Sequence, residues 1–156
     1  MVRRRPAKSQ VTIYKLGDAV ATFQSSDELY KILGGFLQEV VADPDLGPKF
    51  ATADLTVLIN YTDPDTTILL DCTQNPPVVT CDPPAGTDGE FKMWMAADDG
   101  HKFWQGKFNV ALALAKKKVK VDGPLAKMMK LLPAMAPAYP KYKAFLEANG
   151  RPDLIA

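Results

Sequence analysis

Residues 91–133, FKMWMAADDGHKFWQGKFNVALALAKKKVKVDGPLAKMMKLLP, decide the fold. Phe91, Met93 and Met95 share one face of an alternating strand. A polar Ala97-Asp98-Asp99 step follows, and either aspartate can cap the short amphipathic helix that carries Phe103 and Trp104 and ends at Gly106-Lys107. Phe108 to Leu114 reads as a second apolar helix. Lys116 to Val121 alternates lysine with apolar residues, the pattern of an exposed edge strand whose charge discourages edge-to-edge association. Pro124 suits the first turn of a further helix. Leu125, Met128, Met129, Leu131 and Leu132 line the buried side of that helix, and Pro133 stops it.

Working toward the N-terminus, three more short strands precede this stretch. Leu55, Val57, Ile59 and Tyr61 alternate up to the turn Asp63-Pro64-Asp65. Ile68, Leu70 and Cys72 share a face before Asn75-Pro76-Pro77, and Val78 to Cys81 makes a third strand. With Glu90 to Ala96 these predict a four-strand antiparallel meander. Earlier still, Ser25 and Glu28 have capping-box spacing. Leu29, Ile32, Leu33, Phe36, Leu37, Val40 and Val41 then recur at helical intervals, predicting a long helix over Asp27 to Val41 that Asp43-Pro44 ends. Gly34-Gly35 in its middle costs about 1 kcal/mol per glycine relative to alanine, so a neighbouring element is expected to press on the backbone there. On the C-terminal side, Met135 continues the apolar theme and Pro137 and Pro140 delimit a loop. Lys141 to Ala148 forms a last helix closed by Asn149-Gly150.

The chain has 156 residues, enough for one full core, with 47% hydrophobic and 24% charged residues, an ordinary globular balance. A net charge of +1 excludes the molecule as a whole from binding polyanions such as nucleic acid. Residues 1–22 form a basic N-terminal extension around Arg3, Arg4 and Arg5, with a short strand or arm around Val11, Ile13 and Tyr14. This extension reads first as a solubilising tail and second as a weak contact with anionic lipid. Residues 23–156 form the folded domain. No apolar run reaches bilayer-spanning length, so a soluble, cytoplasmic protein is expected. Cys72, Cys81 and His101 fall short of the roughly four Cys/His ligands of a structural zinc site, and the two thiols are expected reduced. No Gly-x-Ser-x-Gly elbow, phosphate loop or dinucleotide fingerprint is present. Asp98, Asp99 and His101 are the one catalytic candidate, and a helix cap followed by an exposed first-turn histidine is the preferred account of them. No cofactor is expected.

In their order, the pieces of residues 91–133 resemble the sterol carrier protein 2 (SCP-2) family of lipid-binding domains. The resemblance is carried by Met95, Asp98 and Asp99, Phe103, Gly106-Lys107, Asn109, Ala113-Leu114, and Lys118-Val119-Lys120-Val121 with Gly123. Three positions differ: Val110 stands where the family often has proline, Lys117 where it has glycine, and Pro124 where it has a polar residue. The match is fullest over the last third of the chain, extends across the strands before it, and stops short of about the first two dozen residues.

What the resemblance implies is an α+β domain, a five-stranded and mostly antiparallel sheet with helices packed on it around an apolar tunnel. Met93, Met95, Met128, Met129 and Met135 would face that tunnel, where flexible thioethers suit ligands of variable shape. The residues expected to bind lipid are Leu33, Phe36, Leu37, Val40, Ile59, Leu70, Met93, Met95, Phe103, Trp104, Phe108, Leu112, Met128, Met129, Leu132 and Met135. Phe103, Trp104, Met128 and Met129 are the expected wall and gate. For Lys116 to Lys120, a solvated edge strand and a contact with an acyl-CoA phosphate or an anionic membrane both stay open. The function implied is non-enzymatic binding and transfer of fatty acid, fatty acyl-CoA, sterol or a similar lipid. The alternatives are an accessory domain presenting a lipid substrate to a partner enzyme, and a small enzyme using Asp99 and His101.

Overall fold

The computed structural model describes residues 21–155. Arg3 to Arg5 and the arm around Val11, Ile13 and Tyr14 lie outside the described residues, as does nearly all of the expected extension. The long helix α1 begins after Ser25 and runs through Ser26–Leu29, a π-helical turn Tyr30–Gly34, and Gly35–Ala42. Ser25 Oγ accepts the N–H of Glu28 at 3.1 Å. The Glu28 carboxylate reaches back one residue further than a capping box requires, accepting the N–H of Gln24 at 2.7 Å. A short helix α2, Leu46–Ala51, leads into the strands β1 (Thr56–Thr62), β2 (Thr66–Asp71), β3 (Val78–Cys81) and β4 (Phe91–Ala96). Then come α3 (Ala97–Trp104), α4 (Val110–Ala115), β5 (Lys120–Asp122), α5 (Leu125–Met129), α6 (Leu132–Met135) and α7 (Tyr139–Ala148).

The five strands form one mixed sheet in the order β3-β2-β1-β4-β5. Three neighbouring pairs are antiparallel, while β1 and β4 are parallel, with Val57 beside Phe91, Ile59 beside Met93 and Tyr61 beside Met95. The expected meander therefore stops at β3. The reason is burial: β4 carries Phe91, which is fully buried, and gains most beside β1, where four of seven residues are buried. The short, half-exposed β3 takes the outer edge, and the Pro-Gly loop of residues 82–90 is long enough to cross back to the sheet centre.

The helices cover one face of this sheet. Leu29, Ile32, Leu33, Phe36, Leu37, Val40 and Val41 of α1 are all buried there, as the spacing predicts. The glycine pair at residues 34 and 35 is explained by contact on two sides. A methyl group on Gly34 would overlap Cys81 Sγ of β3, and one on Gly35 would come within 3.2 Å of the Phe145 ring of α7.

Several boundaries differ from the sequence reading: where a loop is expected between Pro137 and Pro140, Ala136–Ala138 form a 3-10 turn and α7 starts at Tyr139, with Pro140 in its first turn. Lys116 to Lys118 end helix α4 and do not belong to the edge strand, which starts at Lys120. The Lys118 N–H donates to Ala113 O at 2.9 Å and the Lys117 N–H to Leu114 O at 3.1 Å, the paired bonds of a Schellman motif. Lys117 sits at its left-handed position with φ of 60°. In addition, the helix after Pro124 breaks at Lys130, and Pro133 lies in the first turn of α6 instead of ending α5.

Candidate functional site

An apolar cavity lies between the sheet and the helices. Its floor is the inward face of the sheet: Val57, Ile59 and Tyr61 of β1, Leu70 of β2, Phe91, Met93 and Met95 of β4, and Val121 of β5. Period-two alternation places these side chains together. The opposite wall is Leu37, Phe50, Gly100, Phe103, Trp104, Phe108, Val110, Leu114 and Val119, with Leu125, Met128, Met129, Leu132 and Met135 from α5 and α6. Among the described residues no charged side chain lines it. Burial pushes the Tyr61 phenol well above its ordinary pKa, so it stays a neutral hydroxyl. Leu125 and Met129 line the cavity and yet are 39% and 40% exposed, which marks where it meets solvent. Its free volume is about 90 Å³.

Of the side chains expected from sequence, Leu37, Ile59, Leu70, Met93, Met95, Phe103, Trp104, Phe108, Met128, Met129, Leu132 and Met135 line this space. Four do not. Leu33, Phe36 and Val40 are buried in the core, where Phe36 packs against Trp104, Tyr142 and Phe145 at centroid distances of 5.2, 4.8 and 5.6 Å. Leu112 is 49% exposed, because Val110 and Leu114 point into the cavity and a residue midway between them on a helix points away. Val57, Tyr61, Phe91, Val110, Leu114, Val121 and Leu125 were overlooked although the same periodicities select them. Val119 shares the lysine alternation that selects Val121, whereas Phe50 and Gly100 carry no such signal.

The acidic turn and His101 do something other than expected. The N-cap of α3 is Ala96, with no side-chain cap, and both aspartates lie in the first turn, where the helix dipole favours them. Asp98 Oδ1 accepts the N–H of Thr22 at 2.9 Å. His101 is buried, not exposed. Its Nε2–H donates to Leu154 O at 2.9 Å and its Nδ1 accepts the Tyr142 hydroxyl at 2.7 Å. Burial holds the imidazole pKa below its ordinary value of 6.5, so the ring is a neutral tie between α3, α7 and the C-terminal segment. His101 does not line the cavity. Cys72 and Cys81 are free thiols, and burial pushes Cys72 up to about 12. Among the described residues no group of His, Cys, Asp or Glu side chains is placed to hold a metal ion, and no helix is long and apolar enough to cross a membrane.

Comparison with known proteins places this architecture. The fold is similar to that of sterol carrier protein 2 from Yarrowia lipolytica in its apo form, with 16% identity, a TM-score of 0.54, and coverage of 73% of this chain and 91% of that one. It is similar to the sterol carrier protein domain 2 of Helicoverpa armigera, with 16% identity, a TM-score of 0.59, and coverage of 72% and 88%. A ubiquinone synthesis protein, UbiJ-SCP2, shares the fold at 14% identity, with a TM-score of 0.51 and coverage of 72% and 94%. No protein of curated function matches the sequence. The profile of the SCP-2 sterol transfer family matches residues 35–136, a span that runs from the second glycine of α1 through every strand to the end of α6, and the chain belongs to that family.

Proposed function

We propose that the chain binds a hydrophobic small molecule, a fatty acid, fatty acyl-CoA, sterol or similar lipid, in the apolar cavity and transfers it within the cell unchanged. The observation that carries this reading is the cavity wall, apolar from β2 to α6 and open to solvent at Leu125 and Met129. Each methylene moved from water into such a site contributes about 0.8 kcal/mol. Affinity then follows chain length, and selectivity among similar lipids is loose. The free volume of about 90 Å³ is below the roughly 300–1,000 Å³ of loaded ligand pockets, so binding requires side chains to move aside. Five methionines in the wall can do so at low cost.

The rival in which Asp99 and His101 form an acid-base pair is disfavoured, since both ring nitrogens of His101 are engaged and the ring lies off the cavity. Two free thiols suit the reducing cytoplasm as the place of action. A second reading, an accessory domain that presents a lipid substrate to a partner enzyme, is favoured by the exposure of Leu112, Leu125 and Met129 on α4 and α5. The fold shared with a ubiquinone synthesis protein points the same way. Titration with a fluorescent fatty acid tests the first reading: saturable binding that unlabelled palmitate displaces supports it, and linear, undisplaced signal rules it out.

A further inference from the structure

Outside the cavity, an open groove of about 760 Å³ is lined by Thr62, Trp94, Asp99 and the lysines Lys117, Lys118 and Lys120. Met95 and Val121 line both the groove and the apolar cavity. Asp99 is the anomaly here. It is 6% exposed, and its one partner among the described residues is Lys118 Nζ at 4.0 Å, beyond hydrogen-bond distance. A carboxylate buried to that degree is ordinarily surrounded by donors, as its neighbour Asp98 is by the Thr22 amide.

The rest of the groove is cationic and aromatic. Lys117 and Lys120 are exposed and have no carboxylate partner among the described residues. Between Lys116 and Lys130 the chain has six lysines and one carboxylate, Asp122, which faces Lys92 at 3.9 Å. Trp94 is 40% exposed and pairs across the sheet with Lys120, so its indole and that ammonium emerge on one face.

From this juxtaposition we infer that the groove is the headgroup subsite for a single-chain lipid whose polar end bears both a phosphate and a hydroxyl or ammonium donor. The phosphate lies against Lys117, Lys118 and Lys120, the donor satisfies Asp99, and the acyl chain passes Met95 and Val121 into the cavity. The inference rests on the lipid-binding reading and narrows it. A fatty acid would satisfy the lysines and leave Asp99 without a donor. A sterol hydroxyl would do the reverse.

Calorimetric titration of the full chain with three lauroyl or dodecyl probes tests the assignment: monolauroylglycerol (donor only), dodecyl phosphate (phosphate only) and lauroyl lysophosphatidylglycerol (both). The probe with both groups is expected to bind about tenfold tighter than either of the others, the effect of one added charge-assisted contact. The exposed double variant Lys117→Glu/Lys120→Glu should remove that advantage and leave monolauroylglycerol unchanged. Asp99→Asn should weaken the lysophospholipid and leave dodecyl phosphate unchanged. If monolauroylglycerol binds and the lysophospholipid binds no tighter, or the double variant binds it as before, the headgroup subsite is wrong while the cavity reading stands. If glycerol phosphate alone binds as tightly, the groove serves a free polyol phosphate and the lipid assignment is overturned. If no probe binds, both readings fall together.

Discussion

Lys117 shows how a single side chain can be out of keeping with its backbone. The Schellman motif that ends α4 holds it at a φ of 60°, where a β-carbon is crowded and glycine is not. Lys117→Gly is expected to stabilise the protein by about 1 kcal/mol, read as a rise in Tm of about 2–4 °C. The opposite holds at Gly34, where an added methyl overlaps Cys81 Sγ. Gly34→Ala should cost about 1–3 kcal/mol in urea unfolding, and Gly34→Ala/Cys81→Ala should recover part of that loss. At His101 burial lowers the pKa below 6.5, so the unfolded chain takes up the proton first. The stability contributed by the neutral ring is fully present above pH 6.5 and is lost as pH falls below it. His101→Gln should therefore flatten the fall of the urea midpoint on acidification. Of these three features only the close contact at Gly34 was legible in the sequence, where a glycine pair in mid-helix called for a neighbouring element. Lys117 stood out only as a departure from a family pattern, and His101 looked exposed because helix position alone does not reveal that α7 and Leu154 cover it.

Elements built from strong local signals were read correctly, and those whose placement depends on distant partners were not. Helix α1 has a capped start, a seven-residue apolar stripe and a proline-marked end, so sequence and structure agree on it within a residue or so at either end. Strand β4 was recognised by its alternation, but its parallel place beside β1 is set by competition for the buried centre of the sheet, which no local pattern expresses. In the same way, the cavity's floor follows from period-two alternation, whereas Phe50 and Gly100 join the wall through tertiary contact alone. The short helices α5 and α6, of five and four residues, have little intrinsic stability and form the flank where the cavity reaches solvent. Met128 on α5 is half-buried against that space. Met128→Trp should plug it, lowering affinity for a fluorescent fatty acid at least about tenfold while leaving Tm within about 2 °C, as an overpacked but partly exposed site permits. Unchanged affinity would remove α5 from the ligand's path.

Charge on the whole molecule is divided in a way the net value of +1 conceals. Lys117 and Lys118 in the turn after α4 and Lys120 on β5 gather at the groove, and the carboxylates of residues 21–106 dominate the remainder, so the field orients the groove toward anionic partners. The fold brings this cationic surface to the edge of an apolar cavity, the arrangement that an amphiphile with an anionic head would meet. Whether the cavity holds a lipid is the central question, and native mass spectrometry of freshly purified protein, followed by organic extraction, addresses it most directly. The expected result is a co-purifying lipid in defined stoichiometry, about one per chain, released on denaturation and identified in the extract. A clean mass for the chain alone, together with no uptake of added fatty acid, would contradict the account and leave the apolar space between sheet and helices as a loosely filled core.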